Sequence, residues 1–139
     1  MLIYPDIGRR ILREELKGRG VFIFHFDDCV EGIYTDLAPF MDDYDMRDDL
    51  APQITQIDTA GYMTWDQIRE LVYGKGWGVL WHGIPSLATE TTPAETEYVI
   101  VHGHETLERR ANLYGFGVSG IVYPKGEIPP LEQMGIIKQ

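Results

Sequence analysis

The run V-F-I-F-H-F at 21–26 is apolar at every position but one, and two adjacent carboxylates, Asp27 and Asp28, come directly after it. Continuous rather than alternating apolarity predicts a strand covered on both faces, as in a parallel sheet. Two other runs read as strands: W-G-V-L-W at 77–81, followed by His82, and S-G-I-V-Y-P at 119–124. Between these runs the apolar positions recur at helical spacing. Asp6 caps a predicted helix over 7–20, with Ile7, Ile11, Leu12 and Leu16 on one side, and Gly18 and Gly20 end it. Thr35 caps a second predicted helix over 36–44, with Leu37, Phe40, Met41 and Tyr44 apolar. Thr64-Trp65-Asp66-Gln67 has the capping-box pattern, in which a hydroxyl and an amide each satisfy a free N–H at the helix start. That helix runs to Tyr73 with Trp65, Ile68, Leu71 and Val72 inward, and Gly74 and Gly76 close it.

Thr92-Pro93-Ala94-Glu95 repeats the capping box with proline in the first helical position. The helix after it extends over 95–115, with Ile100, Leu107, Ala111 and Tyr114 recurring at helical spacing. Gly103 inside it costs about 1 kcal/mol relative to alanine and marks a candidate break. The stretch 45–58 has no clear period and reads at most as a short strand near 54–57; the tail after Tyr123-Pro124-Lys125 offers one helical turn. Helices alternating with strands give an α/β domain: a short parallel sheet with flanking helices. Ligands of such sheets sit at the carboxyl ends of the strands. Asp27-Asp28, His82 and Tyr123-Pro124-Lys125 all fall there.

At 139 residues the chain is one domain, long enough to bury about two-thirds of its unfolded surface. A net charge of −10 repels phosphate backbones, so nucleic acid is not an expected partner. The single cysteine, Cys29, rules out an internal disulfide framework. The start MLIYPDIGRR lacks the pattern of a signal peptide, and no apolar run approaches the about 20 residues needed to span a bilayer. The expectation is a protein without a membrane span, cytoplasmic or part of an assembly by default.

Aspartate and histidine are suitable ligands for zinc and other first-row metals, and a second carboxylate beside the ion can take a proton from water. Adjacent residues of a regular strand point to opposite faces. Asp27 and Asp28 therefore serve one site only if the chain turns out of the strand between them, which Gly32 and the loop after Asp28 permit. Without that turn the doublet is a loop start or a helix cap. His25 reads as a buried histidine satisfied by a backbone carbonyl, with a substitute ligand as the alternative. Cys29, beside two negative charges, reads as structural. His102 and His104 fall on different sides of a helix, with His104 near its apolar stripe. D-D-Y-D-M-R-D-D at 42–49 lacks the glycine and closing glutamate of a calcium loop and reads as a solvated helix end. Trp65 and Trp77 read as core, and Trp81, next to His82, as the tryptophan that lines a groove.

HFDDCVEGIYTDLAPFMDDYDMR resembles the first motif of the polysaccharide deacetylase family, the group of nodulation-type chitooligosaccharide and peptidoglycan deacetylases. YMTWDQIRELVYGKGWGVLWHG is similar to the family's helix leading into the strand that carries its first metal histidine. TPAETEYVIVHGHETLERRANLYGFGVSGIVYPKGE resembles the next helix and a strand ending in a Tyr-Pro-x-Gly turn. The resemblance covers residues 4–127 and implies a distorted (β/α) barrel that removes N- or O-acetyl groups from an oligo- or polysaccharide with a divalent metal, most often zinc. It implies Asp27 as general base, Asp28 and His82 as metal ligands, and Tyr123, Pro124 and Gly126 as the turn lining the substrate groove, with Trp81 beside them.

Several positions depart from the family pattern. The second metal histidine, four residues after the first, is Ser86 here, so the chain offers two of the three protein ligands a catalytic zinc usually takes. His25 and Cys29 replace the motif's usual threonine and glycine, and D-D-L-A-P-Q stands where an apolar strand is expected. A closed barrel needs about 200 residues, so residues 1–139 read as an incomplete one, lacking the C-terminal strands. Two functions are compatible with this: a metal-dependent carbohydrate deacetylase, or a non-catalytic carbohydrate-binding or assembly module derived from that family. In either, an open sheet edge calls for self-association or a partner chain to cover it.

Overall fold

Two capping boxes start two of the helices. The computed structural model describes residues 22–83, 92–113, 118 and 120–126. The expected helix over 7–20, the loop carrying Ser86 and the tail beyond Gly126 lie outside the described residues. Thr64 Oγ1 accepts from the Gln67 N–H at 3.2 Å while the Gln67 side chain accepts from the Thr64 N–H at 2.7 Å. Thr92 and Glu95 make the same reciprocal pair at 3.3 and 2.8 Å. In chain order the described elements are β1 (His25–Asp27), a π-helical segment Ile33–Leu37 running into α1 (Ala38–Asp43), β2 (Asp49–Ala51), α2 (Trp65–Arg69) with a second π segment Glu70–Gly74, β3 (Gly78–Val79), α3 (Pro93–Arg110) and a 3₁₀ turn at Pro124–Gly126.

The three strands are parallel in the order β1-β2-β3, with His25 opposite Asp49 and Asp49 opposite Gly78. A parallel bridge between Trp81 and Ile121 extends this ladder to the 120–123 segment. The expected parallel sheet with flanking helices is present, and the sheet is open. Its central strand corrects the sequence reading. β2 is Asp49-Leu50-Ala51, inside the D-D-L-A-P-Q stretch, whereas 54–58 forms turns. Leu50 and Ala51 are fully buried, and Asp48 and Asp49 are buried with them. A three-residue strand that opens with one buried carboxylate and follows another carries no apolar signature, yet its backbone pairs with both neighbours. Gly78 N–H donates to Asp48 C=O at 2.9 Å and Leu80 N–H to Leu50 C=O at 2.7 Å. The acidic stretch 42–49 is thus only partly a solvated helix end.

β1 is shorter than expected. Phe22 is 77% exposed, Phe24 and His25 are also exposed, and Phe26 packs against the Trp77 ring. The second helix also starts earlier. Thr35 lies inside the π segment, where its hydroxyl donates to Glu31 C=O, and Gly32 holds the cap position. A π turn takes up one extra residue and rotates the helical turns after it. The buried side chains are therefore Ile33, Ala38 and Met41, while Phe40 and Tyr44 face outward. Trp65, Ile68, Leu71 and Val72 are buried as expected, as is Trp77.

α3 runs unbroken through Gly103. A Cβ there would lie 2.7 Å from Cζ2 of Trp81, so the missing side chain is what lets the indole pack on the helix. The helix stops at Arg110, where Asn112 takes a left-handed φ of 57° and Leu113 N–H reaches back to Glu108 C=O at 2.8 Å. Leu107 and Ala111 are buried; Tyr114 lies outside the described residues.

Gly103→Ala is expected to cost about 1–3 kcal/mol through overpacking against Trp81, outweighing its helix-propensity gain of about 1 kcal/mol. Chemical denaturation checks this, and a stabilised variant would contradict the packing. A second expectation concerns Asp48. Burial and then Asp49 push its carboxyl from an ordinary 3.8 up to about 7, against the backbone hydrogen bond from Asp49, which lowers it. The folded protein therefore holds this proton more tightly than the unfolded chain. Its stabilising contribution is complete below the unfolded value and is lost as pH rises to 7. The loss across that window is expected to be on the order of 1–3 kcal/mol. Asp48→Asn keeps the acceptor for the Asp49 N–H and should remove this term from the slope of unfolding free energy against pH.

Candidate active site

β1 ends at Asp27, and the chain leaves the strand at once. Asp28 and Cys29 both adopt left-handed backbone, with φ of 65° and 55°. Such conformations are disfavoured outside glycine, and they persist where surrounding bonds impose them. Here Asp28 N–H donates to Ala51 C=O at 2.9 Å, Cys29 N–H to Asp27 C=O at 2.8 Å, and Met63 N–H to Cys29 C=O at 2.9 Å. An antiparallel bridge between Val30 and Tyr62 continues the clamp. Gly32, expected to allow this turn, has an ordinary helical φ of −60°; the reversal is made by Asp28 and Cys29 themselves.

The reversal brings both carboxylates to one imidazole. His82 Nε2 lies 3.5 Å from Asp28 Oδ1 and 3.9 Å from Asp27 Oδ2. The His82 side chain is 5% exposed and the two carboxylates are 46% and 39% exposed, so the site has a buried floor and an open rim. His82 Nδ1 is 3.0 Å from the Val122 carbonyl oxygen. A carbonyl only accepts, so Nδ1 carries a proton, and the opposite ring nitrogen, Nε2, faces the two carboxylates. These separations exceed a hydrogen bond.

Two neighbours complete the surroundings. His25 Nε2 stands 3.6 Å from Asp27 Oδ1, with its side chain 38% exposed. It is therefore an exposed imidazole facing a carboxylate, not a buried one satisfied by a carbonyl. Gln53, at the carboxyl end of β2 and 6% exposed, donates its side-chain N–H to Asp28 Oδ1. Sequence reasoning missed Gln53, because it follows a proline in a stretch without period and carries no motif.

The Tyr123-Pro124-Gly126 turn begins directly after Val122, at the same strand end as His82. Pro124 is buried, Tyr123 is half-buried, and Gly126 N–H donates to Tyr123 C=O at 3.1 Å. Gly126 needs its φ of 68°, where a side chain would be strained. Trp81 is 2% exposed with its indole on Gly103, so it sits in the core beneath α3. His102 and His104 face Glu105 and Glu108 along α3, each at 3.8 Å. Among the described residues no group of three or more His, Cys, Asp or Glu side chains is arranged to hold an ion. Asp28 and His82, at 3.5 Å, approach the spacing of two ligands on one ion. No described helix is long and apolar enough to cross a membrane.

Cys29 is fully buried, and its thiol is pushed far up, first by burial and then by Asp28 and Asp27. It is expected to resist a disulfide reagent in the native protein and to titrate fully after unfolding. Fast native labelling would place the thiol at the surface.

No protein-family profile matches the sequence, and no curated protein matches it. Solved structures do. The Streptococcus pyogenes deacetylase PplD, in complex with acetate, superposes with a TM-score of 0.80 at 20% identity over 95% of this chain and 57% of that one. IcaB from Ammonifex degensii gives 0.72 at 17% identity, over 84% of this chain and 55% of that one. The BpsB deacetylase domain from Bordetella bronchiseptica gives 0.74 at 14% identity, over 93% and 66%. The chain thus spans between about half and two-thirds of the structures it matches. At these identities the likeness is one of architecture: the chain has the fold of solved bacterial deacetylases, with Asp27, Asp28 and His82 gathered at the carboxyl ends of its strands.

Proposed function

We propose that this chain carries a carbohydrate deacetylase site in which Asp28 and His82 hold a divalent metal, most suitably zinc, and Asp27 is the general base. One observation supports the reading above the rest: one ring nitrogen of a buried histidine faces two carboxylates, at 3.5 Å from Asp28 and 3.9 Å from Asp27. Zinc–nitrogen and zinc–oxygen bonds of about 2.1 Å at a tetrahedral angle separate two donor atoms by about 3.4 Å. The Asp28–His82 spacing is close to this value. The Nδ1 bond to Val122 is also the outer-shell support that metal-bound histidines commonly have.

When bound, such an ion supplies Lewis acidity, making water more acidic and an acetyl carbonyl more electrophilic. The protein's own groups do the rest. Asp27 Oδ2, on the open side of the site, accepts the proton of the attacking water and holds it for the departing amine or alkoxide. The Tyr123–Gly126 turn forms an adjoining wall for an acetylated oligo- or polysaccharide. The resemblance of the first motif to polysaccharide deacetylases, and the fold shared with PplD and BpsB, support the same substrate class.

A second reading also has a specific observation behind it. The described residues supply two suitable metal ligands at this spacing, where a catalytic zinc takes three, which favours a carbohydrate-binding module that has lost the chemistry. The two readings part on one set of measurements. The deacetylase reading expects about one zinc per chain and acetate release from acetylated chitooligosaccharides. Asp27→Ala should lower kcat/KM by about 10²–10⁴-fold and retain the metal. Asp28→Ala and His82→Ala should lose both. Sugar binding with neither metal nor acetate release would leave only the module.

A further inference from the structure

Asp27 and Asp28 are identical groups facing one imidazole, yet the proposed chemistry needs one to bind an ion and the other to move a proton. Their surroundings differ on one point. Asp28 Oδ1, the oxygen nearest His82 Nε2, also accepts a hydrogen bond from Gln53 Nε2, whereas Asp27 Oδ1 faces the exposed His25. Gln53 is a well-anchored donor. It is 94% buried, and it leaves β2 directly beyond Ala51, whose carbonyl accepts the Asp28 N–H at 2.9 Å. Its amide can be oriented only one way, because the reverse would set Oε1 against a carboxylate oxygen. Gln53 Oε1 has no protein partner among the described residues, so the bond to Asp28 is the polar contact that holds the side chain.

We infer that Gln53 is a positioning residue: by fixing Asp28 in place it makes that carboxylate the metal ligand and leaves Asp27 mobile enough to act as base. Donation from a buried amide fixes the rotamer of the Asp28 carboxylate. Asp27 receives no such bond from a buried amide. Its more exposed carboxylate keeps the freedom that accepting and releasing a proton requires. Gln53 touches neither water nor acetyl group in this arrangement and acts through Asp28.

This inference rests on the proposed metal site, and the experiment separates the two. Zinc and cobalt affinities of the whole chain are measured by calorimetry, with the cobalt absorption spectrum as a report on ligand geometry. Gln53→Leu removes the donor at similar volume, and Gln53→Glu keeps the shape but replaces the amide with a carboxylate. Both are expected to weaken metal affinity by about 10–100-fold, the usual cost of losing an outer-shell partner, and to change the cobalt spectrum. Gln53→Glu sets a second carboxylate against Asp28 and is expected to lower the metal-free thermal midpoint, so Gln53→Leu, its fold checked by circular dichroism, carries the comparison, and its kcat at saturating metal should recover most of its value. Wild-type affinity and spectrum in either variant that folds would overturn the role of Gln53 and leave the metal site intact. No zinc or cobalt binding by the wild-type protein would instead overturn the proposed site, and the inference with it.

Discussion

Everything the candidate site can do depends on the reversal of the chain between Asp27 and Cys29. A regular strand would send its two carboxylates to opposite faces, one into the sheet's packing and one away from it. Two consecutive residues with positive φ, neither of them glycine, defeat that alternation. Each carries a conformational cost, and backbone hydrogen bonds from Asp28 to Ala51 of β2 and from Met63 to Cys29 hold them there. The price is met by structure outside the turn, and the result is a pair of carboxylates converging on one imidazole. His82 is placed by equally ordinary means, through a parallel ladder and one bond to Val122.

The central strand shows how short elements and buried charge coexist. β2 is three residues long, yet it carries the register of the whole described sheet. Its N-terminal end buries Asp48 and Asp49, and its C-terminal end delivers Ala51 and Gln53 to the site. One strand therefore joins a proton-sensitive region at one end to the carboxylate doublet at the other. The polar groups at its two ends are handled differently: burial raises the Asp48 carboxyl's hold on its proton, whereas Gln53 donates to Asp28.

Much of this could be read from the sequence, for identifiable reasons. Both capping boxes are local chemistry, and both formed as written. Trp65, Ile68, Leu71, Val72, Leu107 and Ala111 obeyed the helical period because α2 and α3 each bury one side. Asp27, Asp28 and His82 could be placed together because strand ends in a parallel sheet gather on one edge. The failures have a common cause. β2, the π turn before Ala38 and the left-handed pair at Asp28–Cys29 are all set by tertiary contacts that overrule local pattern. Periodicity cannot register a three-residue strand that begins at a buried aspartate. It also cannot register an inserted residue that swings Phe40 and Tyr44 to the surface. Gln53 was invisible because a single amide acquires meaning only from the carboxylate it meets.

The two π segments carry a consequence of their own. Tyr34 in the first donates its hydroxyl to Glu70 at the head of the second, at 2.7 Å, so the two irregular turns are tied together. Each π turn is in effect one surplus residue accommodated within a helix. Deleting that residue would restore regular winding and swing every downstream side chain by about 100°. Met41 would leave the core on one helix and Trp77 would lose its approach to Phe26 on the other. The distance along the chain between the carboxylate doublet and the histidine thus includes two surplus residues, one in each π turn.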